Sequence, residues 1–175
     1  MSKRHPLHLF AAVLALCLAV PAADAAGRVK ARGATTNAEG GYTAGSASAG
    51  RGPNGGAYAR GGATTTDGQG NAQNVRGGAA RTPSGGYGAR GASTTVNADG
   101  SGSRQAGFAA SGARGSAASS GAFTRSADGT VNGGRSTQAT GANGNSYSGQ
   151  TTVQDNQVSH SHQCTNAAGE VIACK

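Results

Sequence analysis

His160, His162 and Cys164 alternate near the C-terminal end of the chain. On a strand, residues two apart share a face. Imidazole nitrogens and a thiolate are ligands for zinc or copper, so His160 and His162 are the candidate metal ligands. Cys164 has a competing use, because Cys174 follows after the turn sequence Asn166-Ala167-Ala168-Gly169. In an oxidising compartment the two cysteines are expected to form a disulfide that pins a hairpin. That bond removes the thiolate and leaves two imidazoles, a weak site. No cofactor is expected.

The second chemistry is cationic. Arginines are spread along the chain, and Arg32, Arg60, Arg76 and Arg90 are each followed by glycine. These four are the candidate contacts to an anionic polymer such as lipopolysaccharide, extracellular DNA or acidic polysaccharide. Such binding weakens steeply with salt. The alternative is a solvated strand face or a guarded sheet edge. Nothing arranges a catalytic group. The only histidines after residue 25 are His160 and His162, and Glu39, Asp67, Asp99 and Asp128 fall in or beside turn-like clusters. An enzyme is not expected.

The elements that would position these residues are set by a repeat. Gly40, Gly55, Gly70, Gly85, Gly100, Gly115, Gly129 and Gly144 recur at intervals of 15, with one interval of 14. Each lies in or beside a turn signal such as Pro53-Asn54-Gly55-Gly56 or Ala127-Asp128-Gly129. A fixed period of this kind marks a repeat architecture. Between turns run about ten residues of Ala, Ser, Thr, Gly and Arg, long enough for a strand of roughly 33 Å. A longer period overlies the short one. Ala31-Arg32-Gly33-Ala34-Thr35-Thr36 returns as Ala59-Arg60-Gly61-Gly62-Ala63-Thr64-Thr65 and again as Ala89-Arg90-Gly91-Ala92-Ser93-Thr94-Thr95. Odd and even units therefore differ, which favours a 30-residue hairpin repeated along a meander. A thin β-solenoid of 30-residue coils is the other architecture that fits. The fold class is all-β.

Hydrophobic burial contributes little. After residue 25 the chain has no Leu, Met or Trp; its large apolar residues are seven Val, one Ile and two Phe, with four Tyr. Composition alone also fits a largely disordered chain. The regular bends argue instead for main-chain pairing in place of a core. In one unit the alternation is clear, with Ala57, Ala59, Gly61 and Ala63 on one face and Tyr58, Arg60 and Thr64 on the other. The aromatics Tyr42, Tyr58, Tyr87, Phe108, Phe123 and Tyr147 mark most units and are expected to pack across strands.

Residues 1–25 read as a secretory signal, with Lys3 and Arg4, an apolar stretch from Leu7 to Val20, and Ala23-Asp24-Ala25 before the cleavage point. Residues 26–150 form the Gly/Ala/Ser/Thr-rich repeat region, and 151–175 the disulfide-pinned hairpin. Two of the 15 Lys and Arg and one of the seven Asp and Glu fall in the signal, leaving 13 against six. No later stretch is apolar enough to span a bilayer. The expected location is the periplasm, the cell surface or the medium.

The Gly-Pro-Asn-Gly and Ala-Asp-Gly turns resemble those of exported Gly-rich bacterial repeat proteins over roughly residues 27–150. Gln69-Gly70-Asn71-Ala72 resembles a curlin repeat, a resemblance that implies secreted fibres. Together these features lead to an exported, non-enzymatic structural or interaction protein of the envelope or matrix, acting by self-association or adhesion. The second reading is a cationic polyanion-binding module.

Overall fold

The structure is a computed structural model that describes residues 26–37 and 40–174. Residues 1–25, read above as a secretory signal, and Glu39 lie outside the described residues. Ten long strands follow one another in chain order: β1 (Gly27–Thr36), β2 (Tyr42–Arg51), β3 (Ala57–Thr66), β4 (Ala72–Arg81), β5 (Tyr87–Val96), β6 (Gly102–Gly112), β7 (Gly115–Arg125), β8 (Val131–Gly141), β9 (Ser146–Gln154) and β10 (Gln157–Thr165). A short β11 (Val171–Ile172) closes the order. Each strand pairs antiparallel with the next in one open sheet. The fold is thus the all-β meander, and the solenoid is not formed. The sheet runs through residue 150 within β9, and the Cys164–Cys174 disulfide joins β10 to the segment after β11 as an extension of the same sheet. Among the described residues no helix is long and apolar enough to cross a membrane.

Two turn designs make the meander except between β3 and β4, where the Asp67 amide donates to the Asn71 carbonyl and Gly68 and Gly70 both take positive φ. In the commoner one, the amide of the first residue donates to the carbonyl four residues on, and the amide of the fourth donates back to the first. Asn37–Gly41, Gly52–Gly56, Thr82–Gly86, Asn97–Ser101, Ser126–Thr130, Gly141–Asn145 and Asn166–Glu170 all show both bonds. The fourth residue is a glycine at positive φ, for example Gly55 at 82° and Gly129 at 90°. This is a three-residue hairpin loop ending in a left-handed bulge position, where a β-carbon is costly. The second design has two residues. Asp155 and Asn156 join β9 to β10 at φ 50° and 66°, the mirror-image turn that asparagine and aspartate tolerate. Ala113 and Arg114 join β6 to β7, and this shorter loop stands immediately before the single 14-residue interval, Gly115 to Gly129.

Turn side chains reinforce the loops. Asp67 Oδ1 accepts from the amides of Gln69 and Asn71, Asp99 Oδ1 from Ser101, and Asp128 Oδ1 from Thr130. These donors hold the three carboxyls below their usual range. The largest contribution is the Asn71 side chain at Asp67, the Ser101 side chain at Asp99, and the Thr130 amide at Asp128. Their depressed folded values stabilise the fold above the ordinary aspartate value of about 3.9 and lose that contribution as pH falls through them. We expect the thermal midpoint to fall as pH is lowered below about 4. The triple variant Asp67→Asn/Asp99→Asn/Asp128→Asn should show a flatter profile over the same window, checked by thermal scans at stepped pH.

No hydrophobic side chain among the described residues is buried. Small residues and main-chain pairing carry the sheet. Three rings pack against glycines of the sheet. A β-carbon built on Gly50 would sit 2.7 Å from Tyr58 Cε1, one on Gly133 2.7 Å from Phe123 Cδ1, and one on Gly149 2.9 Å from Tyr147 Cε1. Each ring covers backbone that the glycine leaves bare.

Candidate functional site: a cationic sheet face

The register decides which side chains share a face, because directly paired residues point to the same side. Through β1–β6, paired residues are both even or both odd, as in Lys30↔Ser48, Ser48↔Arg60, Arg60↔Gly78, Gly78↔Arg90 and Arg90↔Phe108. All even-numbered strand residues there lie on one face. The two-residue loop before β7 shifts the parity, so the same face continues through Ser119, Thr137 and Gly149, and returns to His162 after the next two-residue loop.

That face gathers Arg28, Lys30, Arg32, Arg60, Arg76, Arg90, Arg104 and Arg135, and these line one shallow trough reaching from β1 to β8. All eight are exposed. The four candidates, Arg32, Arg60, Arg76 and Arg90, are therefore brought onto one face. Arg28, Lys30, Arg104 and Arg135 are additional members that spacing did not single out. Among the described residues every carboxylate lies at a turn: Asp67, Asp99, Asp128, Asp155 and Glu170. The cations of this face consequently have no acidic neighbour within it.

Two arginines are fixed by serines beneath them. Arg60 Nε donates to Ser48 Oγ at 3.1 Å, and Arg135 Nε donates to Ser119 Oγ at 2.7 Å. Ser48 and Ser119 are the two buried polar residues among the described residues, and Ser119 Oγ in turn donates to the Ser136 carbonyl at 2.7 Å. Glycines stand beside the guanidinium stems. A β-carbon on Gly78 would come within 3.0 Å of Arg60 Cβ, and one on Gly121 within 2.9 Å of Arg135 Cβ. The arginine-next-to-glycine pattern thus has a packing cause across strands as well as along them. Ring contacts are local: Arg60 lies 6.0 Å from the Tyr58 centroid.

The histidines extend the same face. His162 ends the row that contains Lys30, Arg60 and Arg90, and His160 ends the row of Arg32, Arg76 and Arg135. Their rings stack at 5.4 Å, and His162 stacks on Tyr147 at 6.3 Å. His160 Nδ1 shares a hydrogen bond of 3.0 Å with Thr151 Oγ1. Cys164 is bonded to Cys174 with Cα atoms 5.3 Å apart. Among the described residues no group of three metal-ligating side chains is formed.

The opposite face is different in kind. Its central rows are Ala49, Ala59, Ala79, Ala89, Ala109 and Ala118, then Ala47, Gly61, Gly77, Gly91, Gly107 and Ser120. Charge appears only in the row of Arg51 and Arg81, at one end of the strands. The rims also differ. Asp67, Asp99, Asp128 and Asp155 occupy turns after odd-numbered strands, at one rim, where Arg125 at the end of β7 is a cation among them. Arg114 and the strand ends Arg51 and Arg81 lie toward the other, with Glu170.

The molecule is thus an antiparallel β-meander with one cationic face, one small-residue face uncharged apart from its end row of Arg51 and Arg81, and rims of unlike charge. Compared with known proteins, the chain matches no family model, no curated protein and no solved structure.

Proposed function

We propose that this is an exported, non-enzymatic structural protein of the cell envelope or extracellular matrix, whose copies associate through the uncharged sheet face. One observation carries the reading: the sheet is a single layer without a buried hydrophobic side chain. Stable domains bury a sheet face against a second layer. Ten strands about 4.8 Å apart and ten residues long present roughly 1,600 Å² on that face. A standard interface needs about 800 Å² per partner. Flat sheets of small residues are stabilised by stacking.

Charge selects which faces meet and how. Two cationic faces repel, so the uncharged faces come together. A two-fold axis in the sheet plane, perpendicular to the strands, lays each strand over its own copy with the ends reversed. The rim bearing Arg81 and Arg114 then lies over the partner's rim of Asp67, Asp99 and Asp128. Growth from the edge is opposed, because β1 carries Arg28, Lys30 and Arg32, the charged edge that natural sheets use against pairing. The same face-to-face geometry accounts for association without curlin-type fibres.

The axis makes the middle row of the uncharged face self-opposed, including exposed Ser136 on β8. Ser136→Cys should give disulfide-linked dimers under mild oxidation, and sedimentation velocity of the parent protein should show a concentration-dependent dimer. The other in-plane axis would place β8 over β4 and yield no such link. A parent protein monomeric throughout the concentration series would overturn the proposal.

A further inference from the structure

We infer that the cationic face is a binding site for a linear acidic polysaccharide, laid across the strands so that successive carboxylates or sulfates meet successive arginines. This goes beyond self-association and does not depend on it. Arg60, Arg76 and Arg90 stand on consecutive strands about 4.8 Å apart, Arg76 in the neighbouring row and Arg90 back in the row of Arg60, so the cations zigzag across the face at diagonal steps of about 7–8 Å. Arg104 and Arg135 continue the track toward β8. A polymer with charges at regular intervals along an extended chain matches a track of this form. Guanidinium groups suit carboxylates and sulfates because their donors form a planar fork. Nε of Arg60 and Arg135 is already held by serine, which orients each fork before a ligand arrives.

The rest of the face favours a sugar polymer over a nucleic acid. Hydroxyl and amide groups lie between the cations, including Thr64, Asn74, Thr94 and Thr137, and these suit sugar hydroxyls. Nucleic-acid single strands are held by aromatic side chains on which bases stack. Here Tyr58, Phe123 and Tyr147 lie against glycines of the sheet, and the exposed rings of this face, Tyr42 on β2 and Phe108 beside Arg90 on β6, stand four strands apart, too far for successive bases to stack on both. Duplex readers insert a helix or ribbon into a groove, and this face presents neither.

Titration of the protein with a soluble polyuronate at about 0.15 M salt tests the site. The double variant Arg76→Gln/Arg90→Gln should lose at least tenfold in affinity and flatten the dependence of affinity on salt by roughly two ions. Arg81→Gln/Arg114→Gln removes the same charge from outside this face and should lose less than twofold. Circular dichroism of each variant must match the parent. Repeating the titration on Ala109→Glu, which disrupts the opposite face, separates this inference from self-association, since binding per chain should persist. Equal losses in the two double variants would overturn the site. Tighter binding of single-stranded or duplex DNA than of polyuronate would overturn the polysaccharide assignment, as would binding of neutral dextran at the same affinity.

Discussion

Ala109→Glu is expected to hold the protein as single chains where the parent is dimeric, whereas Ala110→Glu should leave assembly unchanged. The two positions are neighbours on β6, both exposed, and they project from opposite faces. Each substitution introduces the same residue with the same poor strand propensity, so intrinsic effects on β6 cancel in the comparison. Ala109 lies among Ala89, Ala118 and small neighbours on the uncharged face. In the stacked pair its carboxylate would be enclosed without a cation, once from each copy. Enclosing an unpaired ion costs several kcal/mol, and every 1.4 kcal/mol is a factor of ten. Dimer affinity should therefore fall at least a hundredfold by sedimentation equilibrium. Ala110 projects toward solvent on the arginine side, where a carboxylate stays hydrated. Equal assembly of both variants would show that the uncharged face is not the interface.

The separation of the two faces was legible in the sequence only in part. The meander and its turns followed from the glycine ruler, because a bulge position at positive φ selects glycine wherever the loop recurs. The common face of the arginines needed one further fact, the loop length. A three-residue loop of the observed design pairs even with even positions. Arg28, Lys30, Arg32, Arg60, Arg76, Arg90 and Arg104 are all even-numbered, while Arg51 and Arg81 are odd. That parity was present in the sequence and carries meaning only once the register is known. Arg135 is odd and yet joins the same face, because the Ala113-Arg114 loop is shorter and shifts the parity. The 15-residue units also differ in pairs for a simple reason. Successive turns fall at opposite rims, so residues 30 apart occupy equivalent places.

What could not be read from composition was where the rings would go. Aromatics spaced through the repeats pointed to packing across strands, and Tyr58 and Phe123 do so over glycines of the neighbouring strands, Gly50 and Gly133, while Tyr147 covers Gly149 and stacks on His162 of β10. Ser48 and Ser119 were equally hard to anticipate. Serine is common throughout the chain, and only the diagonal or direct partnership with an arginine distinguishes these two.

Gly115→Ala should destabilise the protein by about 2–4 kcal/mol through local strain and displaced pairing, while Gly88→Ala should be neutral or stabilising by about 0.4–1 kcal/mol. Both glycines sit at or next to the start of a strand rich in small residues, and their surroundings separate them. Gly115 opens β7 at φ 124°, a region that side chains rarely adopt. A β-carbon there would overlap the Thr140 carbonyl oxygen and lie 2.9 Å from Gly141 Cα. To make room, β8 must move away from β7 where Ala142 donates to the Arg114 carbonyl at 3.0 Å. At Gly88 the nearest atoms, the Ala109 carbonyl and Ala110 Cβ, would be 3.5 Å from the new carbon, an ordinary contact. The added methyl there restricts the unfolded chain without straining the sheet. Urea midpoints read the two effects, and amide exchange locates the first, which should open β7 and β8 before β3 and β4. A chain held by main-chain pairing alone has no core to absorb a displaced strand, so strain at one hairpin is transmitted along the ladder to its neighbours. Equal stability of the two variants would mean that the β6–β7 turn does not hold the close approach on which the single-layer sheet depends.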